Sequence, residues 1–160
     1  MATGPPREPA LAQVAIRHAQ PADYASVIQH VNAWWGGREM APMLPQLFFV
    51  HFEGTSFVAE AGGRLVGFLI GFVSQTEPEE AYVHFIGVSP EQRGEGLGRD
   101  LYERFFEAVR RRGCTRVRCV TSPLNEDSLA FHRALGFEVE RVAHDYDGKG
   151  EDRALLVRQL

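Results

Sequence analysis

The chain has 160 residues, a length that fits one domain with its own hydrophobic core. Its hydrophobic content of 44% and charged content of 24% are those of an ordinary globular protein. The net charge of -4 gives no electrostatic basis for nucleic acid or an anionic membrane as the main partner, and no apolar stretch approaches the length of a membrane span.

The N-terminus and the cysteines favour a cytoplasmic protein. Residues 1–9 contain three prolines and no apolar core, so we expect a disordered tail over 1–11 rather than a signal peptide. Cys114 and Cys119 form neither a CxxC pair nor a zinc spacing, and no metal site is expected. The remaining residues, 12–160, are predicted to form a single domain.

Hydrophobic periodicity, prolines and glycines delimit the elements of the N-terminal half. The predicted elements are a strand over 13–17, a helix from Pro21 to about Trp34, a second helix over Leu44–Phe52, and hairpin strands over 57–60 and 64–70. The run Leu47–Val50 is apolar enough that we expect the second helix to pack on both sides.

The C-terminal half alternates strands with helices. The predicted elements are a strand over 81–88, a glycine-rich loop, a helix over 96–112, a strand over 115–121, a short helix over 125–135, and closing strands over 137–146 and 152–159. This alternation predicts a mixed sheet of the α/β or α+β class.

Three glycines at alternate positions, Gly94, Gly96 and Gly98, lie where the loop becomes a helix. Glycine permits a positive φ and a close approach of the backbone to a ligand, and the first amides of a helix attract anions. The loop therefore predicts a phosphate-binding site. Considered alone, the same glycines are equally compatible with a tight strand-to-helix connection.

Two motifs carry a family resemblance. The segment 93–98 matches the Arg/Gln-x-x-Gly-x-Gly/Ala signature of the GNAT superfamily of acyl-CoA-dependent N-acetyltransferases. Asn125 followed by Ala130–Phe137 resembles the family's late Asn…Ala-x-x-Phe-Tyr-x-x-x-Gly-Phe segment. The resemblance implies the GNAT fold, in which a central, mostly antiparallel sheet is flanked by helices and splayed between its fourth and fifth strands.

The resemblance implies that coenzyme A, supplied as acetyl-CoA, lies along the splayed strands. Backbone amides of the glycine loop would hold its pyrophosphate, and main-chain groups of Ile86 and Val88 would pair with its pantetheine arm. A bulge at Gly87 would direct the amide of Ile86 or of Gly87 at the thioester carbonyl. The residues expected to contact coenzyme A are Ile86, Gly87, Val88, Arg93, Gly94, Gly96, Leu97, Gly98, Arg99, Asn125, Ser128 and His132.

His84 is the candidate general base, because its intrinsic pKa suits proton removal near pH 7. Its position resembles that of a strand histidine with this role in serotonin N-acetyltransferase. Strand alternation places it on the face of Tyr82 and Ile86, opposite Val83 and Phe85. The alternative is a histidine packed between sheet and helix.

The general acid departs from the family pattern, because His132 stands where many members have a tyrosine. His132 is a candidate acid or thiol contact, or a packing residue of its helix. Tyr146, predicted on the penultimate strand, is a second candidate acid. An acid is also dispensable, since a thiolate is a fair leaving group.

The segment Trp34–Glu39 is expected to line the acceptor site. Glu39 would attract an amine, Arg38 a carboxylate, and Trp34 or Trp35 would stack on a cation. The alternative is that these tryptophans pack the end of the helix into the core.

These residues predict an enzyme that moves an acetyl group from acetyl-CoA to a primary amine of a small molecule, by direct attack in a ternary complex. A protein lysine or N-terminus is the alternative acceptor. A non-catalytic module that senses acyl-CoA is the alternative class. A homodimer is common in the family and is kept as an expectation.

Overall fold

The computed structural model describes residues 13–160, so the tail predicted over 1–11 lies outside the described residues. The strands are β1 (Val14–His18), β2 (Phe57–Ala61), β3 (Arg64–Val73), β4 (Glu80–Val88), β5 (Arg116–Thr121), β6 (Glu138–Ala143) and β7 (Arg153–Gln159). The helices are α1 (Asp23–Trp34), α2 (Leu47–His51), α3 (Leu97–Arg111) and α4 (Glu126–Ala134), with 3-10 turns at 41–43, 53–55 and 90–92. Over this range no helix combines the length and the apolarity needed to cross a bilayer.

The seven strands form one sheet in the order β1-β2-β3-β4-β5-β7-β6. Neighbouring strands are antiparallel except β4 and β5, which are parallel because α3 connects them as a crossover. The mixed, mostly antiparallel sheet expected from the sequence is confirmed.

The sheet opens between β4 and β5. Pairing of these strands is confined to Glu80–Tyr82 against Arg116–Arg118, although β4 continues to Val88 and β5 to Thr121. The Glu80 carboxylate accepts from Nε of Arg116 at 2.6 Å and Nε of Arg118 at 2.8 Å, which fastens the closed end. The expected splay between the fourth and fifth strands is confirmed.

Each face of the sheet carries its own core. On one face, α3 buries Leu97, Leu101, Phe105 and Val109 against the sheet, as its helical spacing predicts. On the other face, α1 and α2 bury Val27, Val31, Trp34 and Phe49 against Val58, Phe68, Ile70 and Phe85. The groove between β4 and β5 is thus bounded by two rigid layers.

The second helix is shorter than predicted. Leu44 has φ -129 and ψ 68, because the residue before a proline is disfavoured in the helical region, and α2 begins only at Leu47. Leu47 and Val50 are 49% and 45% exposed, so the expectation of packing on both sides was wrong. A helix of five residues covers the core with one face only, here through Phe49.

Strict alternation along β4 was also wrong. The pairing register shifts between Phe85, opposite Ile70, and Val83, opposite Gly71, which leaves His84 as the extra residue of a bulge. Val83 consequently packs in the core beside α3, whereas Phe85 packs in the core beside α1. His84 therefore shares its face with Phe85, and Ile86 packs on the opposite face.

Candidate active site

A groove of about 1560 Å³ follows the opening between β4 and β5. One end is formed by the glycine loop and the start of α3. Its walls are β4 on one side and the end of β5 with α4 on the other. The same groove is also lined by residues within 34–43 and within 146–153, and the part between them is here called the acceptor compartment.

The glycine loop forms an open cradle at the first end. Gly94 and Gly96 have φ of +84° and +82°, which other residues adopt only with strain, and open space faces the place of a side chain at both. The amides at the start of α3, from Leu97 to Arg99, have no carbonyl acceptor within the helix, so they favour an anion. The cradle fits the predicted pyrophosphate site.

The third glycine has a packing role. A Cβ on Gly98 would lie 2.9 Å from Cζ of Phe131, so its absence lets α3 approach α4 closely. The side chain of Leu97 is buried in the core, and Arg99 donates to the carbonyl of Ala134 at 3.1 Å. These contacts hold the start of α3 against the core and against α4.

The backbone of β4 presents polar groups to the groove. Ser89 donates its amide to Val66 of β3 at 2.8 Å, so by alternation Gly87 also faces β3, whereas Ile86 and Val88 face the groove. Pairing with β3 is regular at Gly87, so the bulge expected there was wrong; it lies at His84. The amide of Ile86 is thus the better placed of the two expected thioester contacts.

His84 lines the groove beside these groups. Its Nε2–H donates to the carbonyl of Met43 at 2.7 Å, and its ring stacks on Phe48 at 4.3 Å between centroids. This tautomer leaves Nδ1 as an acceptor without a partner among residues 13–160. Burial lowers the pKa of His84, against a smaller opposing effect of the Met43 carbonyl, so the ring is neutral at pH 7.

The start of α4 borders the groove. The Asn125 side chain accepts from the Ser128 amide at 3.1 Å and caps the helix. The Ser128 hydroxyl in turn accepts from Thr121 at the end of β5 at 3.0 Å. Both side chains line the groove, where the resemblance places contacts with pantetheine.

Both ring nitrogens of His132 have partners inside the protein. Its Nδ1–H donates to the Ser128 carbonyl at 2.7 Å, and its Nε2 accepts from the Tyr102 hydroxyl at 2.7 Å. Burial lowers the pKa of His132, and Tyr102, fully buried beside Cys119, has a pKa raised by burial well above its usual value. The contacts favour a neutral, packed imidazole that fixes α4 on α3.

Residues 34–39, expected from the sequence to line the acceptor site, differ in how far they face the groove. Trp34 is 8% exposed and packs against Phe68, as the packing alternative stated, and it also belongs to the lining of the groove. Trp35 and Arg38 line the groove, whereas Glu39 is exposed and lies outside its lining. A Cβ on Gly87 would lie 2.8 Å from Cζ3 of Trp35, so glycine there lets the indole approach β4.

The loop between β6 and β7 forms the opposite wall of this compartment. Tyr146 lies in this loop, 50% exposed, rather than on a strand as predicted. The lining also includes Asp147 and Glu151, which form salt bridges with Arg153 at 2.8 and 3.1 Å. The sequence did not point to these charges, because a polar hairpin loop is usually solvated and its direction is set by pairing.

A family model described as the acetyltransferase (GNAT) family matches residues 17–137, from the end of β1 through α4. The chain belongs to this family. The match covers both motifs quoted above, and the open sheet with its glycine cradle is the arrangement that the resemblance implied.

Individual relatives agree with this assignment. The L-2,4-diaminobutyric acid acetyltransferase of Nocardia farcinica is 38% identical over 84 residues, which cover 52% of this chain and 44% of that protein. The chain spans about half the length of the curated relatives it matches.

Two solved structures show the same fold over most of the chain. A putative GNAT acetyltransferase from Desulfovibrio desulfuricans has a TM-score of 0.80 at 21% identity, covering 92% of this chain and 99% of that one. The diaminobutyrate acetyltransferase of Paenibacillus lautus, solved with L-2,4-diaminobutyric acid and coenzyme A, has a TM-score of 0.72 at 20% identity. That likeness covers 91% of this chain and 94% of that one.

Proposed function

We propose that this protein transfers an acetyl group from acetyl-CoA to a primary amine of a small molecule, by direct attack in a ternary complex. The observation that carries the proposal is the groove itself, which brings an anion cradle, an unpaired strand edge and the acceptor compartment into one continuous cavity. Family membership and the N-acetyltransferases among the relatives support the same reaction.

Coenzyme A is proposed to bind from the cradle inwards. Its pyrophosphate would meet the amides that begin α3, with Gly94 and Gly96 leaving room for it. The main-chain groups of Ile86 and the amide of Val88 would pair with the pantetheine arm as a short added strand, because β5 has already separated at this point and the Val88 carbonyl accepts from Arg93. Asn125 and Ser128 would contact the arm from the other wall.

His84 is proposed to accept the proton that the ammonium group loses. The free amine then attacks the thioester carbonyl carbon, the carbon–sulfur bond breaks, and the amide of Ile86 stabilises the negative charge on the oxygen. The attacking nitrogen loses its second proton to water, and the leaving thiolate takes a proton from water, since a thiol has a pKa of about 8.5 and both nitrogens of His132 have partners within the protein. Acid roles for His132 and Tyr146 remain predictions.

The acceptor is proposed to be a small, positively charged amine. Asp147, Glu151 and Trp35 line the same compartment, so an ammonium group would meet an aromatic surface and two carboxylates that also bind Arg153. Arg38 provides a cation for a carboxylate of the same molecule. L-2,4-diaminobutyric acid, named for several relatives, is therefore the first acceptor to test.

A mass-spectrometric screen tests the proposal. Acetyl-CoA is incubated with diaminobutyric acid, other diamino acids, polyamines and a peptide with a free N-terminus, and both thiol release and the acetylated product are measured. Acetylation of a small amine supports the proposal. Acetylation of the peptide alone indicates a protein acceptor, and binding of CoA without turnover on any amine indicates a sensor. The cytoplasmic location and the homodimer are retained as proposals.

A further inference from the structure

The side chain of Arg93 turns away from the glycine loop that carries it. Its guanidinium donates through Nη2 to the carbonyl of Trp34 and through Nε to the carbonyl of Val88 at 3.3 Å. Trp34 is the last residue of α1 and Val88 is the last residue of β4. The guanidinium therefore links the loop at the cradle to the two elements that border the acceptor compartment.

The contact with Trp34 stabilises a helix end. The last carbonyls of a helix have no donor within the helix and favour a cation nearby. Beyond Trp34 the chain turns through Gly36 and Gly37, at φ of +66° and +84°, and the Gly37 amide returns to the carbonyl of Asn32 at 2.9 Å. Residues 34–38, here called the acceptor segment, are thus bonded to Arg93 through Trp34 at their start and to α1 through Gly37.

The acceptor segment places its side chains on the groove. The indole of Trp35 lies 4.8 Å from the ring of Phe85 and within contact of Gly87, and Arg38 lines the same compartment. Loss of the link from Arg93 would free the end of α1 and allow Trp35 to leave β4. A displacement of about 1 Å at a positioning group is enough to cost a large factor in rate.

We propose that the side chain of Arg93 is a positioning residue for the amine acceptor, acting through the acceptor segment, and that it contributes nothing to binding the phosphates of CoA. This inference rests on the proposed function for the identity of the acceptor. Arg99 offers the matched contrast, because it lies on the cradle at the start of α3 and is exposed, bonded to Ala134.

The test compares Arg93→Met, Arg93→Lys and Arg99→Met. Calorimetry gives the Kd for CoA, and steady-state kinetics gives kcat and KM for the amine. Arg93→Met should raise the KM for the amine about tenfold or more while the Kd for CoA changes less than about threefold, and lysine should recover part of the loss. Arg99→Met should raise the Kd for CoA. A tenfold rise in the Kd for CoA in Arg93→Met, with an unchanged KM for the amine, would overturn the inference.

Hydrogen exchange separates this inference from the proposed function. If the wild type acetylates no amine in the screen, the proposed function fails, and exchange of the amides in residues 34–38 still tests Arg93. Faster exchange there in Arg93→Met, with the Kd for CoA retained, supports the positioning role. Unchanged exchange overturns it. If the methionine variant does not fold, Arg93→Lys gives the same two readouts, because lysine keeps the charge and loses the forked geometry.

Discussion

Replacement of His84 by glutamine tests the proposed base while its place in the structure stays filled. The glutamine amide also donates a hydrogen bond, so it replaces Nε2 as the donor to the Met43 carbonyl, and it covers part of the Phe48 ring. It cannot accept a proton near neutral pH. The variant therefore removes the titration and leaves most of the packing.

The expected loss follows from the environment of the ring. Burial lowers the pKa of His84 below 6.5, so at least about 90% of the wild type carries a neutral imidazole at pH 7.5. A positioned general base contributes about 10²- to 10⁴-fold to the rate. His84→Gln should lower kcat/KM by that factor, which corresponds to about 2.7–5.4 kcal/mol in the activation free energy.

The pH profile of kcat/KM is the decisive measurement. In the wild type it should rise with pH to a plateau, with its midpoint below about pH 6.5, because only the neutral imidazole accepts the proton. The glutamine variant should lose this acid limb. His51→Gln, at an exposed histidine outside the groove, is the control and should behave as the wild type. An unaltered acid limb in His84→Gln would refute the assignment of His84 as the base.

The free energy of unfolding should fall as the pH drops from about 6.5 to the lowered pKa values of His84 and His132, because in this range the unfolded chain binds more protons than the folded one. Below those pKa values the loss should stop. Urea unfolding at a series of pH values that shows no such loss would contradict the burial of both rings. Gly96→Trp should abolish CoA binding. Gly63→Trp, which has a φ of +75° and equally open space but lies outside the groove, is the control and should retain it. Equal affinities of the two variants for CoA, measured by calorimetry, would exclude the glycine loop as the phosphate-binding site. Tyr102→Phe should lower the free energy of unfolding by about 1–3 kcal/mol, because Nε2 of His132 loses its donor, and denaturant unfolding that shows no loss would contradict this hydrogen bond.

Much of the site could be predicted because its signals are local. The glycines at 94 and 96 have the positive φ that their residue type permits, and Asn125 caps α4 as its side chain predicts. The element order followed from periodicity and turn residues. What local patterns do not encode is contact between distant segments, so neither Tyr102 as the partner of His132 nor Met43 as the partner of His84 could be predicted.

The sequence by itself determined the family, the order of elements and the place of the cradle, since these depend on residues adjacent in the chain. The tertiary structure decided which side chains meet the groove. The bulge at His84 reverses the faces of β4, because one extra residue shifts the alternation of every residue beyond it. The direction of Arg93 was likewise decided by the carbonyl at the end of α1, which lies 59 positions away along the chain and needs a donor that the helix cannot supply.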